Sequence, residues 1–132
     1  MKFMLDTNIC IYIIKKRPMQ VIDRLRTQNI SDVMISIITA AELEYGIQKS
    51  SNPQANKIAL AGFMAPFEIP PFDSFASKHY GRIRYQLEKK GNPIGGMDML
   101  IAAHAISLDA TLVTNNIKEF SRVADLKLEN WV

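Results

Sequence analysis

The chain has 132 residues, 48% of them hydrophobic and 22% charged, with a formal net charge of +3. That is enough for one hydrophobic core and short for two, and it excludes disordered and fibrous classes; the mild positive balance suits a polyanionic partner without requiring one. A single cysteine, Cys10, excludes an internal disulfide and a cysteine-based zinc cluster, and no apolar run approaches a membrane span. With no charged leader and cleavage site at the N-terminus, a cytoplasmic protein without membrane contact is expected.

Phe3-Met4-Leu5 reads as a short buried strand, broken by the capping residues Asp6-Thr7-Asn8. A first helix is predicted over Ile9–Ile14, ended by Lys15-Lys16-Arg17-Pro18, and a second over Met19–Arg26. The β-branched run Val33–Ile37 predicts a second strand, and Thr39–Lys49 a helix stopped by Ser50-Ser51-Asn52-Pro53. Helical spacing covers Ala55–Met64, and Phe67–Ile69 is a brief strand candidate. A long amphipathic helix runs from the N-cap Asp73 to Lys90 and halts at Gly91. After a Gly-Asn-Pro-Ile-Gly-Gly loop come a helix over Met97–Leu108, a strand over Thr111–Thr114, a short helix over Ile117–Val123 and an edge strand at Leu126–Leu128. Strands alternating with helices predict an α/β fold with a parallel sheet covered on both faces, in a single domain spanning residues 1–132.

Asp6, Glu42 and Asp98 each stand where a helix is expected to begin after a strand or loop. Singly, each has a structural explanation. Asp6 can cap its helix, Thr39-Ala40-Ala41-Glu42 fits a capping box, and Asp98 suits the helix dipole. Jointly they carry more, because helices that follow parallel strands start at one edge of the sheet. Carboxylates crowded there repel one another unless a cation intervenes, and an all-oxygen set favours Mg²⁺ or Mn²⁺ over zinc. Such an ion can stabilise charge on a phosphate oxygen and supply a nucleophilic water. Thr7, Asn8, Thr114 and Asn116 are short polar side chains suited to support the acids, and Glu119 lies one turn beyond Asn116. Glu44 is about 200° around the helix from Glu42 and is expected on the surface.

Other chemistries find less support. His104 is about 240° around its helix from Asp98 and reads as a packed residue, His79 has no evident ligand partner, and Cys10 reads as core. There is no Gly-x-Ser-x-Gly elbow and no phosphate loop. Lys15 and Arg82 are the leading candidates for contacts to a nucleic-acid phosphate backbone, against a plain reading as solvated surface.

Met4-Leu5-Asp6-Thr7-Asn8, Glu42-Leu43 with Tyr45-Gly46, Gly91–Gly95, Asp98 with Ile101–Ala105, Leu112–Asn116 leading to Glu119-Phe120, and Glu129-Asn130-Trp131 together resemble the PIN-domain ribonucleases, specifically the VapC-type toxins. The resemblance spans essentially the whole chain and is specific as an ordered set. It implies an α/β/α sandwich with a central parallel sheet and a Mg²⁺- or Mn²⁺-dependent endoribonuclease, with Asp6, Glu42 and Asp98 at the three main acidic positions. Many such domains carry a further acid where this chain has Asn116, leaving open whether Glu119 substitutes or one metal suffices. It also implies a VapB-like antitoxin, toxin homodimers, operator DNA bound only through the antitoxin complex, inhibition of translation, and initiator tRNA cut in the anticodon stem-loop. The alternative is a non-catalytic PIN scaffold that binds RNA or a protein; a structure-specific DNA nuclease is disfavoured by the short length.

Overall fold

A computed structural model describes all of residues 1–132. In chain order the elements are β1 (Phe3–Leu5), α1 (Thr7–Lys15), α2 (Met19–Arg26), β2 (Val33–Ile35), α3 (Ile37–Gln48), α4 (Pro53–Met64), α5 (Ser74–Lys89), α6 (Gly96–Ser107), β3 (Thr111–Val113), α7 (Ile117–Phe120) and β4 (Leu128–Glu129). The sheet has the order β2-β1-β3-β4, and every pairing in it is parallel. No helix is long and apolar enough to cross a membrane.

Alternation along the strands sorts the core into two layers. Met4, Met34 and Leu112 face one side, against Ile83 and Leu87 of α5 and Met99 and Ile101 of α6. Phe3, Leu5, Val33, Ile35 and Val113 face the other, against Ile9 of α1, Val21 of α2, Leu43 and Ile47 of α3 and Leu60 of α4. The result is the α/β/α sandwich with a parallel sheet. All three residues of β1, β2 and β3 are buried, as strands covered on both faces require. Trp131 closes the C-terminal end: its ring meets Phe3 edge-on at 5.5 Å, and its indole N–H donates to Glu129, which also pairs with Arg24.

Several boundaries differ from the sequence expectation. β2 ends at Ile35 rather than Ile37, because Ser36 caps α3: its Oγ accepts the Ile38 amide at 3.0 Å. The predicted capping box is therefore incorrect. Thr39 is buried in the first turn of α3, and Glu42 lies in the second turn, not at the helix start. Phe67–Ile69 yields only a bridge between Glu68 and Met34; Pro66 and Pro70 lack the amides a longer strand needs. α7 stops at Phe120, short of Val123, and the edge strand falls at Leu128–Glu129 rather than Leu126–Leu128.

Ser36 also serves the fold through His104. That ring is 1% exposed, with Nδ1 at 2.7 Å from Ser36 Oγ and Nε2 at 3.1 Å from the Pro71 carbonyl oxygen. A carbonyl only accepts, so Nε2 carries the proton, and Nδ1 accepts from the Ser36 hydroxyl. Burial pulls the His104 pKa below its usual 6.5, consistent with a neutral ring. The unfolded chain therefore takes up this proton first, and the His104 contribution is full above pH 6.5 and falls as pH drops below it. Ser36→Ala removes the cap and leaves Nδ1 without a donor, and is expected to cost about 2–3 kcal/mol at pH 7. Urea unfolding measures this. The stability gap between wild type and His104→Gln should also narrow from pH 7 to pH 5, and a gap that widens contradicts the assignment of a neutral ring.

Candidate active site

The carboxyl ends of β1 and β3 lie side by side, with Leu5 paired to Val113. Each strand hands the chain to a polar residue there, Asp6 after β1 and Thr114 after β3. Asp6 is 5% exposed and is the N-cap of α1; its Oδ1 accepts the Ile9 amide at 2.9 Å, while Oδ2 accepts the Thr114 hydroxyl at 2.5 Å. Capping thus uses one oxygen of Asp6 and leaves the other turned toward β3. The structural and functional readings of this residue are compatible.

Glu42 enters from α3. Its Oε1 accepts the Thr7 hydroxyl at 2.5 Å, and Thr7 Oγ1 lies 3.4 Å from the hydroxyl of the buried Thr39. Asp98 sits in the first turn of α6, half-buried, and its carboxylate makes no hydrogen bond or ion pair within the protein. Glu119, in α7, accepts from the Asn116 side-chain amide at 3.2 Å, and the Asn116 backbone amide donates to Thr114 Oγ1 at 2.9 Å. Four chain segments distant in sequence therefore send carboxylates to one corner of the sheet.

The electrostatics record that proximity. The Asp98 carboxyl is pushed up from 3.8 to about 6, first by burial and then by the charges of Glu42, Glu119 and Asp6. Asp6 is raised as well; burial is the main cause, the Thr114 and Ile9 hydrogen bonds offset part of it, and the charge of Glu42 adds to it. No lysine or arginine counters either acid. The three ion pairs of the protein, Arg24–Glu129, Arg84–Glu88 and Lys127–Asp109, all lie elsewhere.

The remaining candidates are dispersed. Asn8 is exposed and only its backbone amide approaches Asp6. Lys15 stands at the far end of α1, about 12 Å of helix from Thr7, beside a shallow depression lined by Ile11, Tyr12, Arg17 and Pro18. Arg82 lies on α5 and contacts His79 Nδ1 at 3.1 Å. Glu44 is exposed and Cys10 is buried in the core. Thr39 is the pocket residue that sequence reasoning did not single out; its burial beside Thr7 follows from the earlier start of α3.

As the side chains stand, no three His, Cys, Asp or Glu residues are arranged to hold a metal ion. Glu42 is turned onto Thr7 and Glu119 onto Asn116. The donor set itself is all oxygen and carries uncompensated negative charge, which fits a hard divalent cation rather than zinc.

Between pH 3.8 and about 6 the folded chain holds the Asp98 proton more tightly than the unfolded chain, so stability falls as pH rises through that range and the penalty is complete above it. Asp98→Asn should therefore stabilise the metal-free protein at pH 7 by about 1–2 kcal/mol, allowing for solvent screening of a half-buried group. The gain should vanish below pH 4. Urea titrations in EDTA at both pH values decide the matter, and equal stability at pH 7 contradicts the electrostatic reading.

Residues 3–126 match the PIN domain family. The chain is 47% identical to Ribonuclease VapC2 of Rickettsia felis over 99% of its own length and 98% of that protein, and 43% identical to the tRNA(fMet)-specific endonuclease VapC of Shigella flexneri over the same shares. Among solved structures it resembles VapBC2 of Rickettsia felis bound to a DNA fragment from its promoter (TM-score 0.94, 46% identity, 100% of both chains). It resembles equally the DNA-bound VapBC of Salmonella typhimurium (TM-score 0.94, 42% identity, 100% and 99% of the two chains). With its sandwich topology and the acidic corner at the ends of β1 and β3, the chain belongs to the PIN-domain family, in its VapC-type branch.

Proposed function

We propose that this protein is a divalent-metal-dependent endoribonuclease, the toxin of a toxin–antitoxin pair. The observation that carries the reading is the convergence of Asp6, Glu42, Asp98 and Glu119 without an internal cation. Asp6, Glu42 and Asp98 would hold Mg²⁺, with Mn²⁺ as substitute, and either Glu119 or Asn116 beside it would complete the site. Thr114 orients Asp6 and Thr7 orients Glu42 by donating hydroxyl protons to them. When bound, the cation neutralises charge building on the phosphate and brings water to it. Gathering Glu42 and Glu119 around it takes rotamer changes at two flexible side chains.

The chain's other groups favour attack by water. His104 is committed to Ser36 and Pro71, and His79 lies with Arg82 on α5, so no histidine is offered as a base to the RNA 2′-hydroxyl. The Cys10 thiol is buried, with its pKa raised by desolvation and by the charge of Asp6. In-line attack with the 3′ oxygen leaving yields a 5′-phosphate and a 3′-hydroxyl.

The relative named a tRNA(fMet)-specific endonuclease supports initiator tRNA as substrate, cut in the anticodon stem-loop and so stopping translation. The VapBC complexes among the related structures support a VapB-like antitoxin, with operator DNA reached through that complex, and toxin homodimers belong to the same reading. A cytoplasmic location, where tRNA and antitoxin are found, accompanies it. Asn116, in place of a fourth acid next to the strand end, favours the rival reading of a non-catalytic scaffold.

Incubation of the purified protein with total tRNA in Mg²⁺, followed by mapping of RNA ends, separates the two. The proposal predicts a discrete cut, lost in EDTA and slowed on the order of 100-fold or more by Asp6→Asn or Asp98→Asn. Binding of tRNA without fragments at any Mg²⁺ or Mn²⁺ concentration supports the scaffold, and undiminished cleavage by Asp98→Asn sinks the acid assignment.

A further inference from the structure

Outside the acidic corner, α3 carries a second feature that the fold does not use. From Glu42, Lys49 lies seven residues on, within about 20° of the same line, and Tyr45 is about 60° to one side. Leu43 and Ile47 take the buried face of α3, so Tyr45 and Lys49 are free of the core. Tyr45 is 66% exposed, and Lys49 Nζ stands over its ring, 5.0 Å from the centroid. Gly46, between them, leaves the strip bare: an added Cβ there meets no atom within 4 Å. An exposed aromatic side chain, an exposed cation over one of its faces and a bare helix surface thus lead directly away from Glu42.

We infer that Tyr45 and Lys49 form a positioning subsite for single-stranded RNA, in which a base next to the scissile phosphate stacks on Tyr45 and Lys49 binds a neighbouring phosphate. The inference rests on the ribonuclease reading above and specifies how that site grips its substrate. Base stacking on an aromatic side chain is tolerant of sequence and needs an open ring face. With Lys49 over one face, the solvent-exposed ring offers the other. Charge complementarity selects the occupant: the acids that crowd around Asp98 repel a phosphate strand, and a cation at the C-terminal end of α3, about 10 Å of helix rise from Glu42, attracts it. A purely apolar partner would leave the Lys49 ammonium without a counter-charge.

The test uses fluorescence anisotropy with a fluorescein-labelled RNA anticodon stem-loop and full-length protein carrying Asp98→Asn to block cleavage. Tyr45→Ala in that background should weaken binding roughly 5- to 100-fold, and Tyr45→Phe should restore it. Lys49→Ala should weaken binding and lower the slope of log affinity against log salt by about 0.7. In the cleaving protein, Tyr45→Ala should raise KM far more than it lowers kcat. Light scattering should give one mass for Tyr45→Ala and its parent; a shift toward monomer overturns the inference in favour of a contact between two copies. Unaltered affinity and KM in Tyr45→Ala overturn it while leaving the ribonuclease reading intact. If the parent neither binds nor cuts RNA, the ribonuclease reading fails and this one with it.

Discussion

Negative charge without an internal counter-charge is the constraint around which this structure is arranged. Three ion pairs exist in the protein, and none reaches Asp6, Glu42, Asp98 or Glu119. The acids are brought together by backbone topology: β1 and β3 run parallel and adjacent, Asp6 follows β1, and α3, α6 and α7 deliver one carboxylate each. An acid corner of this kind weakens the fold, because burial and mutual repulsion both favour the protonated form. Proteins retain such arrangements at functional sites, where a ligand of opposite charge relieves the conflict.

Hydroxyl groups make the arrangement tolerable. Thr114 donates to Asp6 and offsets part of the burial that raises its pKa, and Thr7 donates to one oxygen of Glu42, leaving the other without a partner in the protein. Below this layer, the neutral His104 ties the start of α3, through Ser36, to the loop before α5. Its role is mechanical: it fixes where α3 begins, and the position of Glu42 depends on that start. A histidine in a nuclease invites assignment to catalysis, yet its burial and both its hydrogen bonds assign this one to the framework.

The local parts of this picture are legible in the sequence. Asp6 is readable because a short apolar run followed by capping residues has few alternatives, and the alternation of strands with helices gives the fold class. Glu42 is harder. Thr39-Ala40-Ala41-Glu42 satisfies the capping-box pattern, but Ser36 takes the cap because its hydroxyl meets both the Ile38 amide and His104, a residue 68 positions away. No local pattern reports a bond of that span. The same limit applies to Phe67–Ile69, whose pairing depends on an edge that the flanking prolines leave nearly unused. Asp98 and Glu119 are recognisable as acids in first turns, whereas their mutual repulsion exists only once the sheet has brought α6 and α7 together.

The function follows from the same corner. In the proposed function, all-oxygen donors and the commitment of His104 and Cys10 to the core favour a hard cation and a water nucleophile, and the family relationship supplies RNA as the polymer. The most direct test of the central claim is anomalous diffraction from crystals soaked in Mn²⁺. A cation site built by these acids gives a peak at about 2.1 Å from carboxylate oxygens of Asp6 and Asp98, with Glu42 rotated toward it. A map with no Mn²⁺ at that corner under saturating soak, or with Mn²⁺ bound only at other surface acids, shows that Asp6, Glu42 and Asp98 do not form a metal site.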